Sequence, residues 1–132
     1  LIVLDTHAWI WWVAQPELVS PPAQARIDLE AAAGGGIHVS AISCWEVALL
    51  VRKGRLTLTL DVADWIARAE ALPFVHFVPV DNRIALRSNA LPGGFHDDPA
   101  DRLITATALT LGATLITKDA RLHAYPHVET LW

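Results

Sequence analysis

The 132-residue chain has only one cysteine, Cys44. No intramolecular disulfide can form, and such cysteine usage fits a cytoplasmic protein. No His neighbours Cys44 in sequence, so it reads as a small core residue and not as a nucleophile. Long hydrophobic runs are missing, and nothing approaches the ~18 apolar residues of a membrane span. The first residues lack a basic region and a small-residue cleavage site, so no signal peptide is expected. Basic charge is also scarce, and the net charge is −4. That excludes a protein that holds nucleic acid by general electrostatics, but not an enzyme that binds it locally. Repeats, low-complexity tracts and linkers are absent. One domain over residues 1–132 is therefore expected.

What is present is apolar: 53% of residues, six of them Trp. A real core can form, and the excess points to some apolar surface shared with a partner. The chain opens on Leu-Ile-Val-Leu-Asp-Thr-His. Four apolar residues of buried-strand length run into one acid, Asp5. Residues 6–14 read as a short helix, apolar nearly all round, with Trp9, Trp11 and Trp12. Ser20-Pro21-Pro22 starts a helix over 22–33 that Gly34-Gly35-Gly36 stops. That triplet lacks the pattern of a phosphate loop. Residues 37–39 form a short strand and 40–52 an apolar helix closed by Gly54, while 57–60 are ambiguous. Helices at 62–72, 81–89 and 99–111 alternate with strands at 74–80 and 113–117. A turn or short helix at 119–125 and a strand at 128–131 finish the chain. Strands alternating with helices predict an α/β fold, a parallel sheet covered on both faces.

The acids stand at telling places in that pattern. Asp5 ends the first strand, and Asp119 follows the strand Ala113–Thr117. Ligand sites in open α/β sheets form beyond the carboxyl ends of strands. Asp5 can also be read as a helix N-cap. Glu46 lies among Ile42, Ser43, Leu49 and Leu50 on a helix, where an acid needs a partner or a metal. Asp98 suits an N-cap, with Pro99 at the first helical position. Asp101 has less structural excuse and sits near the positive end of the helix dipole.

Asp5, Glu46, Asp101 and Asp119 crowded together would repel one another. A hard divalent cation removes that problem, and oxygen-only ligation suits one or two Mg²⁺ or Mn²⁺ ions. Such ions can activate water for phosphodiester cleavage. Thr6, Ser40, Ser43 and Thr117 lie beside these acids and can orient them, or serve as local caps. Arg52, Lys53 and Arg55 form the densest basic run, read either as helix-end cations or as RNA-phosphate contacts. Arg102 and Lys118 adjoin acids and can pair with them or touch phosphate. His7 and His96 are possible general acids. His123 and His127 have a metal-like spacing that Pro126 spoils for a shared helix face. An Asp-x-Asp nucleophile of the phosphatase kind is missing, since Thr6 and His7 follow Asp5.

Five segments occur in order across nearly the whole chain: Leu4-Asp5-Thr6-His7, Ser40 to Glu46, Lys53-Gly54-Arg55-Leu56, Asp98-Pro-Ala-Asp101-Arg102 and Thr117-Lys-Asp119. Together they resemble the PIN-domain family, in particular the VapC-type toxins of toxin–antitoxin pairs. The resemblance implies a three-layer α/β/α domain with a short central parallel sheet. It implies a Mg²⁺- or Mn²⁺-dependent endoribonuclease, with Asp5, Glu46, Asp101 and Asp119 as the metal-binding and catalytic acids and Asp98 as an accessory. It matches Thr117 and Ser40 to supporting hydroxyl positions. It further implies a homodimer and a small cognate antitoxin that inserts into the site. The alternative is a non-catalytic module that binds an antitoxin or nucleic acid, with structural acids.

Overall fold

A computed structural model describes residues 1–132. The apolar opening forms β1 (Ile2–Leu4), and Asp5 ends it by capping α1 (Thr6–Ala14). A 3₁₀ turn at Pro16–Leu18 leads to α2 (Pro21–Ala32), which Ser20 caps by accepting from the Ala23 N–H. Then come β2 (Ile37–Ser40), α3 (Ala41–Arg52), α4 (Val62–Glu70), β3 (Val75–Val78), α5 (Asn82–Ser88) and α6 (Pro99–Leu111). The chain finishes with β4 (Thr114–Ile116), α7 (Ala120–Ala124) and β5 (Thr130–Leu131). Gly112 ends α6 with φ 64°, the left-handed conformation that glycine adopts without steric cost. The ambiguous stretch 57–60 has no helix or strand. No helix is long and apolar enough to cross a membrane.

The five strands are parallel, in the order β3-β2-β1-β4-β5. All three β1 residues are fully buried, as a strand covered on both faces requires. Their side chains alternate between two cores. Ile2 and Leu4 join Trp9, Ile37, Val39 and Trp65 on one face. Val3 joins Ile104, Leu115 and Leu122 on the other. Trp9 is wholly buried, with its ring 4.7 Å from Trp65 and 5.6 Å from Phe77.

This order places the site. The chain builds outward from β1 through β2 to β3, then crosses to β4 on the other side of β1. The connections therefore diverge between β1 and β4, and a crevice opens at their carboxyl ends. Ile2 pairs with Thr114 and Leu4 with Ile116, so the two strands end level. Asp5 and the Thr117–Asp119 segment consequently emerge side by side at that crevice.

Candidate active site

A cavity of about 530 Å³ occupies the crevice, and Asp5, Glu46, Asp98, Asp101 and Asp119 all line it. Each reaches it for a local reason. Asp5 is the N-cap of α1: Oδ1 accepts from the Thr6 N–H at 2.8 Å, and Oδ2 accepts from the Thr117 hydroxyl at 2.8 Å. The Thr117 hydroxyl oxygen in turn accepts from the Asp119 N–H at 3.1 Å. A single threonine thus fixes the β4 exit against the β1 exit. Asp119 caps α7, with Oδ1 accepting from the Arg121 N–H at 2.8 Å. Asp98 caps α6 through the Asp101 N–H at 2.9 Å, so the cap and the cavity roles coincide there.

Glu46 projects from the second turn of α3. The Thr6 hydroxyl donates to its Oε1, and the Thr6 and Ser43 hydroxyls lie 2.9 Å apart. No cation forms an ion pair with Glu46 or Asp5. Ser40 stays behind the site as the buried N-cap of α3, accepting from the Ile42 N–H at 3.2 Å. Its hydroxyl anchors the helix that carries Glu46 and does not line the cavity.

The electrostatics follow from that burial. Desolvation pushes the Asp5 carboxyl up, against the hydrogen bond from Thr117, and the Asp101 charge adds to the rise. Desolvation also pushes Glu46 up to about 7, with Asp5 and Asp101 adding repulsion. Asp101 rises for the same first reason, although His96 donates to it or pairs with it at 2.6 Å. Asp119 goes the other way, because Arg121 bonds to it.

Arg121 escaped the sequence reading. Its Nη2 lies 3.0 Å from Asp119 Oδ2 and 3.4 Å from Asp101 Oδ2, so one guanidinium spans two of the four acids. The signal available was its place two residues after a capping acid, within reach of that acid. Lys118, His7 and Trp11 also line the cavity. The imidazole of His96 contacts Asp101 directly. His123 and His127 form no metal pair. His123 bonds the Thr117 carbonyl and the Thr130 hydroxyl at 2.6 and 2.8 Å, and His127 packs on Tyr125.

Two basic groups do not line the cavity. Arg102 does not face the cavity. Its guanidinium donates to the carbonyls of Ser88, Phe95 and His96 at 2.8–3.1 Å and lies over the Phe95 ring. Loop 89–98 has few backbone bonds of its own, and these carbonyls need donors. Arg102→Ala is expected to destabilise the fold by about 1.5–3 kcal/mol, as for charged donors withdrawn from carbonyls. Arg102→Lys should recover only part, because a single ammonium cannot reproduce the planar fork. Urea unfolding of both variants measures this. Arg52, Lys53 and Arg55 also stand away from the acids. They follow Glu46 by roughly 9 Å or more along the α3 axis, and none lines the acidic cavity. Arg55 borders a separate groove.

Comparison with known proteins places the chain in a family. The PIN domain family model matches residues 2–128. A ribonuclease of Mycobacterium tuberculosis, VapC22, is 37% identical over 133 residues, covering 99% of this chain and 98% of that protein. The chain belongs to the PIN-domain family. Solved structures share the PIN fold at lower identity. The VapBC2 complex of Rickettsia felis with promoter DNA superposes with a TM-score of 0.71 at 16% identity, covering 98% of this chain and 96% of that one. FitAcB of Neisseria gonorrhoeae gives a TM-score of 0.64 at 23% identity, over 100% and 97% of the two chains. In this PIN domain the acids expected from sequence meet at one cavity.

That donor set fits a hard divalent cation. It is all oxygen, and Asp5 and Glu46 have no basic partner to neutralise them. No three acids or imidazoles are drawn together at cage distance. Mg²⁺ commonly binds through one or two carboxylates and keeps several waters, which suits such an open arrangement.

Proposed function

We propose that this PIN domain is a Mg²⁺- or Mn²⁺-dependent endoribonuclease and the toxin of a toxin–antitoxin pair. The observation that carries the reading is the meeting of Asp5, Glu46, Asp101 and Asp119, from four separate elements, around one cavity at the sheet's switch point. The likeness to a protein named ribonuclease VapC22 supports the substrate class. Asp5, Glu46 and Asp101 would hold one or two ions, with Asp119 and Asp98 at the margin. When bound, the ion supplies a nucleophilic water near neutral pH and neutralises charge on the scissile phosphate.

The protein's own residues have separable duties. Thr6 and Thr117 orient the carboxylates of Glu46 and Asp5 by donating to them. Glu46, raised to about 7 in the metal-free protein, would give up its proton as it takes up the ion, so metal binding there is coupled to proton release near neutral pH. Arg121 and Lys118 offer positive charge at the rim to RNA phosphates. Arg121→Ala is expected to weaken RNA binding and reduce its log–log salt slope by about 0.7–0.9, the loss of one phosphate contact. Filter binding at several salt concentrations measures it. An unchanged slope would confine Arg121 to holding Asp119 and Asp101.

The partners follow as part of the same reading. A groove of about 630 Å³, lined by Ile10, Val13, Leu56, Leu58, Trp65 and Leu72, suits an apolar segment of an antitoxin. Trp45 is 58% exposed beside Ile42, Leu49 and Ala100, a face suited to a second copy of the chain in a homodimer. The test of the activity is incubation of purified protein with a pool of structured RNAs. Cleavage is expected with Mg²⁺ or Mn²⁺ and not in EDTA. No cleavage of any RNA, with no metal binding by calorimetry, would favour the non-catalytic alternative.

A further inference from the structure

The acidic cavity has one wall that metal chemistry does not explain. Trp11 is the single hydrophobic residue that lines it. Of the three clustered tryptophans in α1, Trp9 fills the core and Trp12 packs against Phe74. Trp11 is partly buried against the same core but shares a helix face with His7, four residues earlier, and both residues line the cavity. Its indole is supported and not loose. The ring of Trp132 meets it edge-on at 5.8 Å, and His7 lies 5.7 Å away at a 54° tilt. The Nζ of Lys118 sits 5.7 Å from its ring centroid. Lys118 is bonded in sequence to Asp119, so this aromatic wall adjoins the carboxylates directly.

A large indole costs solvation when it borders a polar cavity, and it gains when a flat apolar surface covers it. A nucleobase is such a surface, and every base has a π-face. Bases inside a duplex have both faces covered by their neighbours. Only unpaired bases in loops, bulges or ends can present one to an aromatic side chain. An ammonium over an indole at an exposed site is held only weakly, and a stacked base can displace it. The freed Lys118 would then stand beside the phosphate of that nucleotide.

We propose that Trp11 is the stacking platform for an unpaired RNA base next to the phosphodiester that the acids address, with Lys118 as the companion cation on the backbone. This rests on the ribonuclease reading and narrows its substrate to single-stranded segments. Trp11 recognises the π-face of a base, so it selects unpaired structure more than base identity.

The test uses a fluorescein-labelled hairpin RNA pool with a randomised seven-nucleotide loop, and a blunt duplex of equal length. Binding is followed by anisotropy with Ca²⁺ in place of Mg²⁺, on RNA checked by gel to be intact. Wild-type protein is expected to prefer the hairpin pool. Trp11→Ala should weaken hairpin binding by about 5- to 100-fold, the usual loss for one stacked base, and leave duplex binding within about twofold. Trp11→Phe should keep most of the affinity, which separates stacking from a folding defect. Equal losses on hairpin and duplex, or no loss on either, would overturn the proposal. Cleavage of the same hairpin pool by wild type in Mn²⁺ is read in parallel. Failure there counts against the ribonuclease reading, whereas intact cleavage with unchanged hairpin affinity in Trp11→Ala counts against the stacking site alone.

Discussion

Asp5→Asn is expected to lower RNA cleavage by at least about 100-fold while leaving the chain folded. The magnitude follows from position. Removing an outer partner of a metal ligand already costs about 10- to 100-fold, and Asp5 is the most central acid of the set. It is 9% exposed, stands at the end of the central strand, and is locked by Thr6 and Thr117. Asparagine preserves that frame. Its carbonyl can accept from the Thr6 N–H, and its amide can donate to the Thr117 oxygen. The Thr117 hydroxyl hydrogen then loses its acceptor, a cost offset by shedding a charge that burial disfavours. The variant should therefore unfold at the same urea concentration as wild type, or a higher one, in EDTA at pH 7. Cleavage and unfolding measured on one preparation check both halves. An Asp5→Asn protein that cleaves as well as wild type would remove Asp5 from the site.

Metal-free protein is expected to lose stability as pH rises from about 4.5 to 7.5, and Mn²⁺ should restore it. Glu46 governs the window. Its carboxyl is pushed up to about 7 by burial and by Asp5 and Asp101, whereas in the unfolded chain it titrates near 4.3. Between those values the folded state keeps a proton that the unfolded state has released. Stability therefore falls as pH rises through that range. Asp5 and Asp101 are shifted in the same direction and contribute with the same sign. Asp119 is shifted down by Arg121. Its contribution is present above about pH 4 and is lost only as pH falls below it. The combined effect should be on the order of 1–3 kcal/mol, roughly 3–10 °C in Tm for a chain of this size. Saturating Mn²⁺ at pH 7.5 binds the folded state only, and 100-fold excess over Kd returns about 2.7 kcal/mol. A scan of Tm against pH, in EDTA and in Mn²⁺, reads both effects. A flat profile in EDTA would mean that burial and the neighbouring acids do not hold a proton on Glu46 in the folded chain.

Much of this site was legible in the sequence because strands and caps are local. An apolar run that stops at an acid gave Asp5 and the β4 exit, and capping chemistry marked Asp98. The α6 boundaries, Pro99 and Leu111, follow from proline at the first turn and glycine after the last. Glu46 was conspicuous because its helical neighbours are apolar. The hydroxyl that donates to it was only half visible. Ser43 is three residues away on the same helix, but Thr6 arrives from another element through the sheet.

Side-chain direction was the harder part. Adjacency to Asp101 suggested that Arg102 would meet acid or phosphate, yet it turns to loop carbonyls that only the folded loop presents. Sequence density made Arg52, Lys53 and Arg55 look like the substrate's cations. The fold carries them down the axis of α3 and puts Lys118 and Arg121 at the cavity. The apolar character of the helix reads all three tryptophans, Trp9, Trp11 and Trp12, as core fillers, which holds in full only for Trp9. Trp11 faces the acids.

These carboxylates are expected to serve hydrolysis by water and not attack by the RNA's own 2′-hydroxyl. The ends of the RNA products test it most directly. Cleavage in Mn²⁺ and H₂¹⁸O, followed by mass spectrometry, should give terminal phosphates that carry one solvent oxygen, with no 2′,3′-cyclic phosphate, and no products at all in EDTA. Cyclic phosphate ends, or cleavage that persists in EDTA, would contradict it.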